Sequence, residues 1–208
     1  MNSSRWIRGW NVAATGAGLS LASVALLTAC GGGSTLGTPH DSSANPTSAE
    51  SNPSGDIPDN QAFVVYTPAD RRFTVQVPEG WSRSDSAAGV VFTDKFNSVG
   101  IESRADVASA PTVESAKSIE LPELAAGTPG YVPGEVSTVE RKAGPVLRIT
   151  YRADSPPSPV TGKIVPEAVE RYEFYRSGRE VVLTLSGLVD ADNVDPWRQV
   201  TDSFSWLP

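Results

Sequence analysis

The sequence predicts an α+β fold in which a mostly antiparallel, meandering β-sheet is covered by helices. Apolar and polar residues alternate with a period of two through most of residues 61–208, which is typical of strands with one buried face. Short turns separate successive runs and favour antiparallel neighbours over crossover connections. Two segments instead place apolar residues three and four apart, as amphipathic helices do. We therefore expect helices packed on an antiparallel sheet.

The alternating runs define the predicted strands. Phe73, Val75 and Val77 share one face of the second run, and polar residues fill the other. Ser177-Gly178, between the last two runs, has the length and composition of a hairpin turn. Strands are predicted at residues 63–66, 72–77, 89–93, 99–103, 136–141, 147–152, 171–175 and 181–185.

Two helices are predicted to cover this sheet. The first lies within Thr112–Ala125 and is expected to break near Pro122, because proline disfavours helical geometry in the residue before it. The second begins with Asp195 as its N-cap and Pro196 at its first helical position. Its apolar stripe is expected to pack on the sheet and consists of Trp197, Val200 and Phe204.

The first 29 residues have the organisation of a secretory signal. Arg5 and Arg8 form a basic start, and an apolar stretch rich in small residues follows from about Val12. The run that ends this stretch, Leu27-Thr28-Ala29-Cys30, resembles the bacterial lipobox. The resemblance implies that Cys30 receives diacylglycerol on its sulfur and, after cleavage before it, becomes the first mature residue. An ordinary secretory signal and an uncleaved membrane anchor are the alternatives. We favour the lipobox because Cys30 is the only cysteine of the chain.

The chain is thereby divided into a signal peptide at residues 1–29, a lipidated tether at 30–60 and a single α+β domain at 61–208. The tether is rich in Gly, Ser, Asn and Pro, so we expect it to be disordered and to reach roughly 30 Å. Acyl chains on Cys30 are expected to hold the protein to the extracytoplasmic face of the cell membrane.

Charge narrows the classes of partner. The formal net charge is −7, and removal of Arg5 and Arg8 with the signal lowers it to −9. A surface this acidic argues against nucleic acid and against electrostatic docking on anionic lipid. Lipidation of Cys30 leaves no cysteine for a disulfide, so the stability of the domain must come from its core. We expect a monomer.

A short motif suggests a family. Val77-Pro78-Glu79-Gly80-Trp81, after an alternating strand, resembles the Pro-x-Gly-Trp segment of PsbP-like domains, and the closing hairpin and final helix through Asp202-Ser203-Phe204 are similar to the end of that family. With the lipobox and tether, the chain most resembles the LpqN-type lipoproteins of actinobacteria. The resemblance covers about residues 61–208. It implies an α/β/α sandwich and an envelope protein that binds partners or lipids without an established catalytic site.

Catalytic equipment is scarce in the sequence. The single histidine, His40, lies in the tether, so the predicted domain contains neither His nor Cys. This composition excludes Ser-His-Asp and Cys-His catalysis and the ordinary zinc sites. The acidic run at 190–195 departs from the calcium-loop pattern and is interpreted as a polar turn before a helix. We expect no cofactor, no metal and no enzyme activity, with a carboxylate-pair hydrolase as the remaining enzymatic alternative.

Five residues are candidates for binding, and each has a structural alternative. Trp81 is suited to line a ligand groove or to pack as a core or edge aromatic. Tyr131 lies in the turn-rich loop 127–134, a place where binding residues concentrate, although such a loop also serves as a plain connector. Arg148 and Arg152 are suited to meet a carboxylate or phosphate, but we favour cross-strand pairing of the arginines with Glu170, Glu173 and Glu180. Tyr172 is the fifth candidate.

Two functions of different classes follow. The first is a non-catalytic interaction or adaptor module of the cell envelope, which requires a solid sandwich. The second is a carrier of lipid or a small molecule, which requires an apolar pocket between sheet and helices, lined by Trp81, Tyr172 and Trp197.

Overall fold

A computed structural model describes residues 53–158 and 160–208. The predicted signal peptide, the lipobox residues Leu27, Thr28 and Ala29, the lipidation site Cys30 and most of the predicted tether lie outside the described residues. Within the described part, no helix is long and apolar enough to span a bilayer.

The described chain is mostly β-structure with short helical segments. Its elements, in order, are β1 (Phe63–Tyr66), β2 (Phe73–Pro78), β3 (Ser82–Ser86), β4 (Gly89–Asp94), β5 (Asn97–Arg104), α1 (Val113–Ser115), a π-helical turn (Ala116–Glu120), α2 (Leu121–Gly127), β6 (Val132–Arg141), β7 (Gly144–Asp154), β8 (Pro166–Arg176), β9 (Arg179–Leu188), α3 (Val194–Asp202) and β10 (Ser205–Trp206). α1, the π turn and α2 follow one another without a gap, and together they form what we call the helical strap, residues 113–127.

The strands form two sheets. The main sheet has seven strands in the order β3-β4-β5-β9-β8-β7-β6, and the small sheet has the order β1-β2-β10. Every strand pair is antiparallel. The small sheet and α3 cover one face of the main sheet, and the helical strap covers part of the other. The predicted α+β class with a meandering antiparallel sheet is confirmed.

Aromatic side chains fill the layer between the main sheet and the small sheet. Phe204, just after α3, stacks on Phe174 of β8 at 4.1 Å between ring centroids and on Phe73 of β2 at 5.5 Å. Trp197 and Val200 from the predicted stripe of α3 are buried in the same cluster. Each large aromatic ring contributes most of its area to such a core, so this stack joins three elements at one point.

The second apolar cluster lies on the opposite face of the main sheet, beneath the helical strap. Leu147, Ile149 and Tyr151 alternate along β7 as predicted, and Ala116 of the strap packs on them without any exposure. The main sheet is therefore buried on both faces where the strap crosses it. The sequence pattern had predicted one covered face, because charged residues occupy part of the second.

Both helices differ in detail from the prediction. The first does not break at Pro122. A π turn precedes it, with the Leu121 N–H bonded to the Ala116 carbonyl. Pro122 has no N–H to donate, and the widened turn lets the helix continue through it. The second helix begins after Asn193 rather than Asp195, and Asp195 lies in its first turn.

The turns are as informative as the strands. Ser177 and Gly178 both have positive φ, 48° and 80°, which is the two-residue hairpin conformation that the sequence predicts. β6 begins at Val132, so the last three residues of the predicted loop 127–134 are strand, with a bulge between Pro133 and Val136. A Cβ at Gly134 would lie 2.5 Å from the Thr150 carbonyl oxygen, so only glycine fits this approach.

The segment 53–60 is part of the domain, although its composition had placed it in the tether. Ile57 is 4% exposed and belongs to the main core. The side chain of Asn193 accepts from the Ile57 N–H at 2.8 Å, and Asn97 and Asn193 both donate to the Gly55 carbonyl, at 2.9 and 3.1 Å. We call this arrangement the asparagine clamp. The predicted boundary at residue 60 is therefore too late, because paired backbone groups and one buried isoleucine order a Gly- and Pro-rich segment.

Candidate functional site

Two of the predicted binding residues, Arg148 and Tyr172, meet on the face of the main sheet that α3 also covers. They are opposite each other in the β7–β8 register. The Tyr172 hydroxyl donates to Glu170 at 2.5 Å, and Arg148 donates to the same carboxylate at 2.6 Å. Arg141 donates to the Tyr172 hydroxyl at 2.8 Å and lies 4.9 Å from the centre of its ring. The group is a connected network rather than a set of free side chains.

The network is held from several elements. The Nε of Arg141 donates to Thr201 of α3 at 2.9 Å. Burial and the hydrogen bond to Glu170 raise the pKa of Tyr172 to about 12, so the phenol stays protonated and remains a donor. The cross-strand pairing that the sequence favoured for the arginines is thus present at Arg148. Its Nε is buried and has no acceptor among the described residues.

Arg152 and Tyr131 lie apart from this network. Arg152 is exposed on the same face of β7, four residues beyond Arg148. Tyr131 packs on Tyr151 at 5.4 Å between ring centroids, beneath the helical strap on the other face. Its hydroxyl is buried without a partner in the described chain, and desolvation raises its pKa. Tyr131 therefore acts mainly as packing in this structure.

Trp81 lies before β3, at the far edge of the main sheet from β7. It is half-buried and lines a surface cleft of about 530 Å³ together with Lys95, Phe96 and the segment 53–58. The structure thus places Trp81, Tyr172 and Trp197 in three different environments: a cleft, a polar network and the core. It does not bring them around one pocket.

A second cleft, of about 810 Å³, lies where α3 meets the small sheet. Lys142, Arg198 and Asp202 line it with Trp206, which stands edge-on to Phe204 at 5.0 Å. Its lining is mostly polar and charged, so it differs from the apolar pocket that a lipid carrier requires.

The sequence did not reveal a buried charge cluster beneath the helical strap. Arg171 and Glu173 of β8 are 7% and 1% exposed, and the Arg171 Nε donates to Glu173 at 2.7 Å. Glu120, the last residue of the π turn, lies 3.8 Å from the same nitrogen. Glu180 of β9 is also buried and accepts from Arg104 at 2.9 Å. The only signal in the sequence was the alternation of charges along 170–174, which suggested a solvated face.

Protonation completes this cluster. The second carboxylate oxygen of Glu173 is buried and has no hydrogen-bond donor among the described residues. Burial, together with the contact between the carboxyl groups of Glu120 and Glu173, raises the pKa of Glu120 to about 8. In its protonated form Glu120 can donate a hydrogen bond to Glu173. Burial, with the nearby Glu173, also raises the pKa of Glu180.

Among residues 53–158 and 160–208, no three His, Cys, Asp or Glu side chains are placed to hold a metal ion. The acidic run 190–195 leads into α3, and its Asn193 is occupied by the asparagine clamp.

Comparison with known proteins bears on the fold. No family model and no curated protein matches the chain. The solution structure of the cyanobacterial PsbP protein CyanoP from Synechocystis superposes with a TM-score of 0.51 at 13% identity, over 71% of this chain and 94% of that one. LpqN of Mycobacterium tuberculosis, involved in cell envelope biogenesis, has a TM-score of 0.41 at 15% identity, over 72% and 93% of the two chains. The Ran-binding protein Mog1p of Saccharomyces cerevisiae gives 0.45 at 10% identity, over 70% and 95%.

The chain has the α/β/α sandwich fold of PsbP-like proteins. The superposition on CyanoP extends over nearly the whole of that protein, and the share of this chain that it covers is close to the extent of the folded domain. The fold expected from the Pro-x-Gly-Trp motif is thereby confirmed. Fold alone does not assign an activity, so function must be argued from the surface and the site.

Proposed function

We propose that this protein is a lipid-anchored, extracytoplasmic module of the cell envelope that binds a protein partner and catalyses no reaction. The signal segment and the run Leu27-Thr28-Ala29-Cys30 support the anchor. Two or more acyl chains on Cys30 suffice for stable attachment, whereas a single chain is marginal.

The filled layer between the two sheets is the observation that favours an adaptor over a carrier. A carrier needs an apolar pocket between sheet and helices, and that layer is occupied by the stacked rings of Phe73, Phe174 and Phe204. The arginine and tyrosine candidates are bonded to each other rather than left open to a ligand. Such a solid sandwich recognises partners with its surface.

The asparagine clamp supports the adaptor further. It fastens residues 55–57 to the core, so the chain enters the domain at a fixed place. The 23 residues from Cys30 to the first described residue give a coil reach of roughly 26 Å. A lipid on Cys30 therefore keeps the domain close to the bilayer, with residues 55–57 nearest to it.

The anchor is tested by Cys30→Ser in the full chain, expressed in a bacterium that processes lipoproteins. We expect loss of incorporation of a labelled fatty acid and retention of the signal peptide, seen as a precursor that is heavier by 29 residues. Ser34→Ala, four residues beyond the site, is the matched control and is expected to be labelled and cleaved. Labelling of Cys30→Ser equal to that of the parent chain would contradict the proposed anchor.

The cleft beside Trp81 favours a second candidate, a carrier of a small apolar ligand. Its volume of about 530 Å³ lies within the usual range of ligand sites. Native mass spectrometry tests it on residues 31–208 secreted behind a cleavable signal. An adduct that extracts into organic solvent and is lost in Trp81→Ala, but kept in Trp206→Ala, would favour the carrier. A bare mass would favour the adaptor.

A further inference from the structure

Large apolar side chains are exposed together at one end of the main sheet. The exposed fractions are 39% for Phe96, 51% for Ile164, 70% for Val194 and 91% for Val160. With Val132, they make five of the eight large apolar residues that are exposed in the described chain. Exposed apolar residues that gather at one end of a soluble domain mark a contact site, whereas single scattered residues do not.

The topology explains why residues distant in sequence meet there. Phe96 lies in the turn between β4 and β5, and the start of β5 pairs with the end of β9 through Ser98 and Ser186. The end of β9 pairs with the start of β8, and the start of β8 pairs with the end of β7. Residues 155–158 follow the end of β7, residues 160–165 precede β8, and the loop 189–193 follows β9. The apolar residues therefore lie along one end of five neighbouring strands, over roughly 20 Å.

The segment that connects the predicted anchor to the domain joins the domain at this same end of the main sheet. The asparagine clamp ties Gly55 and Ile57 to Asn97 of β5 and to Asn193 before α3. The backbone of Asp192 is also bonded to the Asp56 carboxylate at 3.0 Å. We call this surface the clamp end; it consists of residues 53–57, 94–96, 155–158, 160–165 and 189–194, with Trp81 and Val132 at its margin.

Charge determines which partner fits the clamp end. Its loops carry Asp56, Asp94, Asp190 and Asp192 against two lysines, Lys95 and Lys163. Arg152 and Asp154, on the strand that leads into residues 155–158, offset each other. An excess of acids around apolar side chains is repelled by an anionic lipid surface and attracted by a basic protein surface.

We propose that the clamp end is the docking surface for a protein whose contact surface is apolar at its centre and carries Lys or Arg at its rim. This inference rests on the proposed function and names the surface and the chemistry of the partner. A width of roughly 20 Å suits one partner's share of a standard interface, about 800 Å². The acidic rim accelerates and orients association, and the apolar side chains supply the buried contact.

Photocrosslinking of the full lipidated chain in its own membrane tests the surface. A photoreactive amino acid is placed at Phe96, Val160 or Val194 and, as matched controls, at Val65 and Ile119, which are 63 and 57% exposed elsewhere on the domain. We expect protein crosslinks from the first three positions and few from the controls. The crosslinked partner peptide is then sequenced, and the proposal requires Lys or Arg beside the apolar contact.

Charge removal tests the partner's chemistry. Asp94→Asn with Asp192→Asn is expected to lower the crosslink yield from Val160 roughly threefold to tenfold at low salt. Asp70→Asn with Asp106→Asn removes two exposed acids away from the clamp end and is expected to leave the yield unchanged. Equal effects of both pairs would overturn the charge argument.

The outcomes separate this inference from the proposed function. Protein crosslinks that come only from Val65 or Ile119 would overturn the clamp end and leave the adaptor standing. Lipid adducts at the clamp end, crosslinks to residues 31–52 or crosslinks to a second copy would each overturn the proposed partner. Absence of protein crosslinks at every position would overturn the adaptor as well.

Discussion

Glu173 lies beneath the helical strap with one carboxylate oxygen bonded to Arg171, and its carboxyl group contacts that of Glu120. At the scale of single residues, this cluster places ionisable groups where their charge affects stability strongly. A buried charge whose partner is removed costs far more than a surface ion pair contributes. The cluster therefore predicts sharp effects for substitutions that alter its charge.

Arg171→Met is expected to destabilise the domain by about 3 kcal/mol, because it leaves Glu173 buried without its cation. Arg152→Met makes the same change at an exposed position and is expected to shift stability by no more than about 0.5 kcal/mol. Denaturant unfolding followed by tryptophan fluorescence measures both. A loss below about 1 kcal/mol for Arg171→Met would show that Glu173 does not need this partner.

Glu120 predicts how stability depends on pH. Its pKa is about 8 in the folded protein, above its ordinary value of 4.5, so the folded state keeps a proton that the unfolded state loses. This contribution is fully present below pH 4.5 and is lost as pH rises to about 8. Glu173, Arg171 and Glu180 are the charged groups that act on it.

Glu120→Gln is therefore expected to flatten the fall in melting temperature between those two pH values. Above pH 8 the free energy of unfolding of the variant should exceed that of the parent chain by on the order of 1 kcal/mol. This figure is reduced for the partial solvation of Glu120. Glu123→Gln, exposed on the same helical strap, is the control. A parallel pH profile for parent and Glu120→Gln would contradict the shared proton.

At the scale of secondary-structure elements, the asparagine clamp joins three of them. Asn193 would ordinarily cap α3 with its side chain, but that side chain is bonded to the segment 55–57 and to Asn97 at 3.0 Å. The helix therefore begins without a side-chain cap, and its start is held by the clamp instead.

Asn193→Ala is expected to lower stability by about 2 kcal/mol, because it leaves the buried Ile57 N–H without an acceptor. The segment 53–57 should then be cut by protease under native conditions. Asn60→Ala, at an exposed position nearby, is expected to change neither property. Limited proteolysis with mass spectrometry reads out the cut, and a resistant segment in Asn193→Ala would show that Asn97 alone suffices.

Most strands were predictable from alternation because β7, β8 and β9 place apolar residues on every second position. β3 was not, because Ser82–Ser86 is a polar strand at the sheet edge. The features that alternation did not predict depend on tertiary contacts. The asparagine clamp orders a Gly- and Pro-rich segment, and the helical strap buries the charges of β8. The pairing of Arg148 with Glu170 followed from cross-strand spacing, whereas the separation of Trp81 from Tyr172 depended on strand order.

At the scale of the whole molecule, Phe204 joins α3, the main sheet and the small sheet. Phe204→Ala is expected to cost about 4 kcal/mol, because the transfer free energy of the ring and the cavity it leaves both count. Phe96→Ala removes the same ring from the surface and is expected to cost less than about 1 kcal/mol. Thermal unfolding measures the stability of both variants. Equal losses of stability would mean that the aromatic stack contributes no more to the sandwich than an exposed ring does.

The fastening of residues 55–57 also sets how the domain responds to mechanical load. A pull on the chain ahead of Pro53 reaches the domain through Gly55 and Ile57, where the hydrogen bonds of Asn97 and Asn193 share it with β5 and the start of α3. β1, the first strand of the chain, lies behind this point and is shielded from the tension. Stretching therefore strains the clamp before it strains either sheet, and the fold stays intact while its attachment yields.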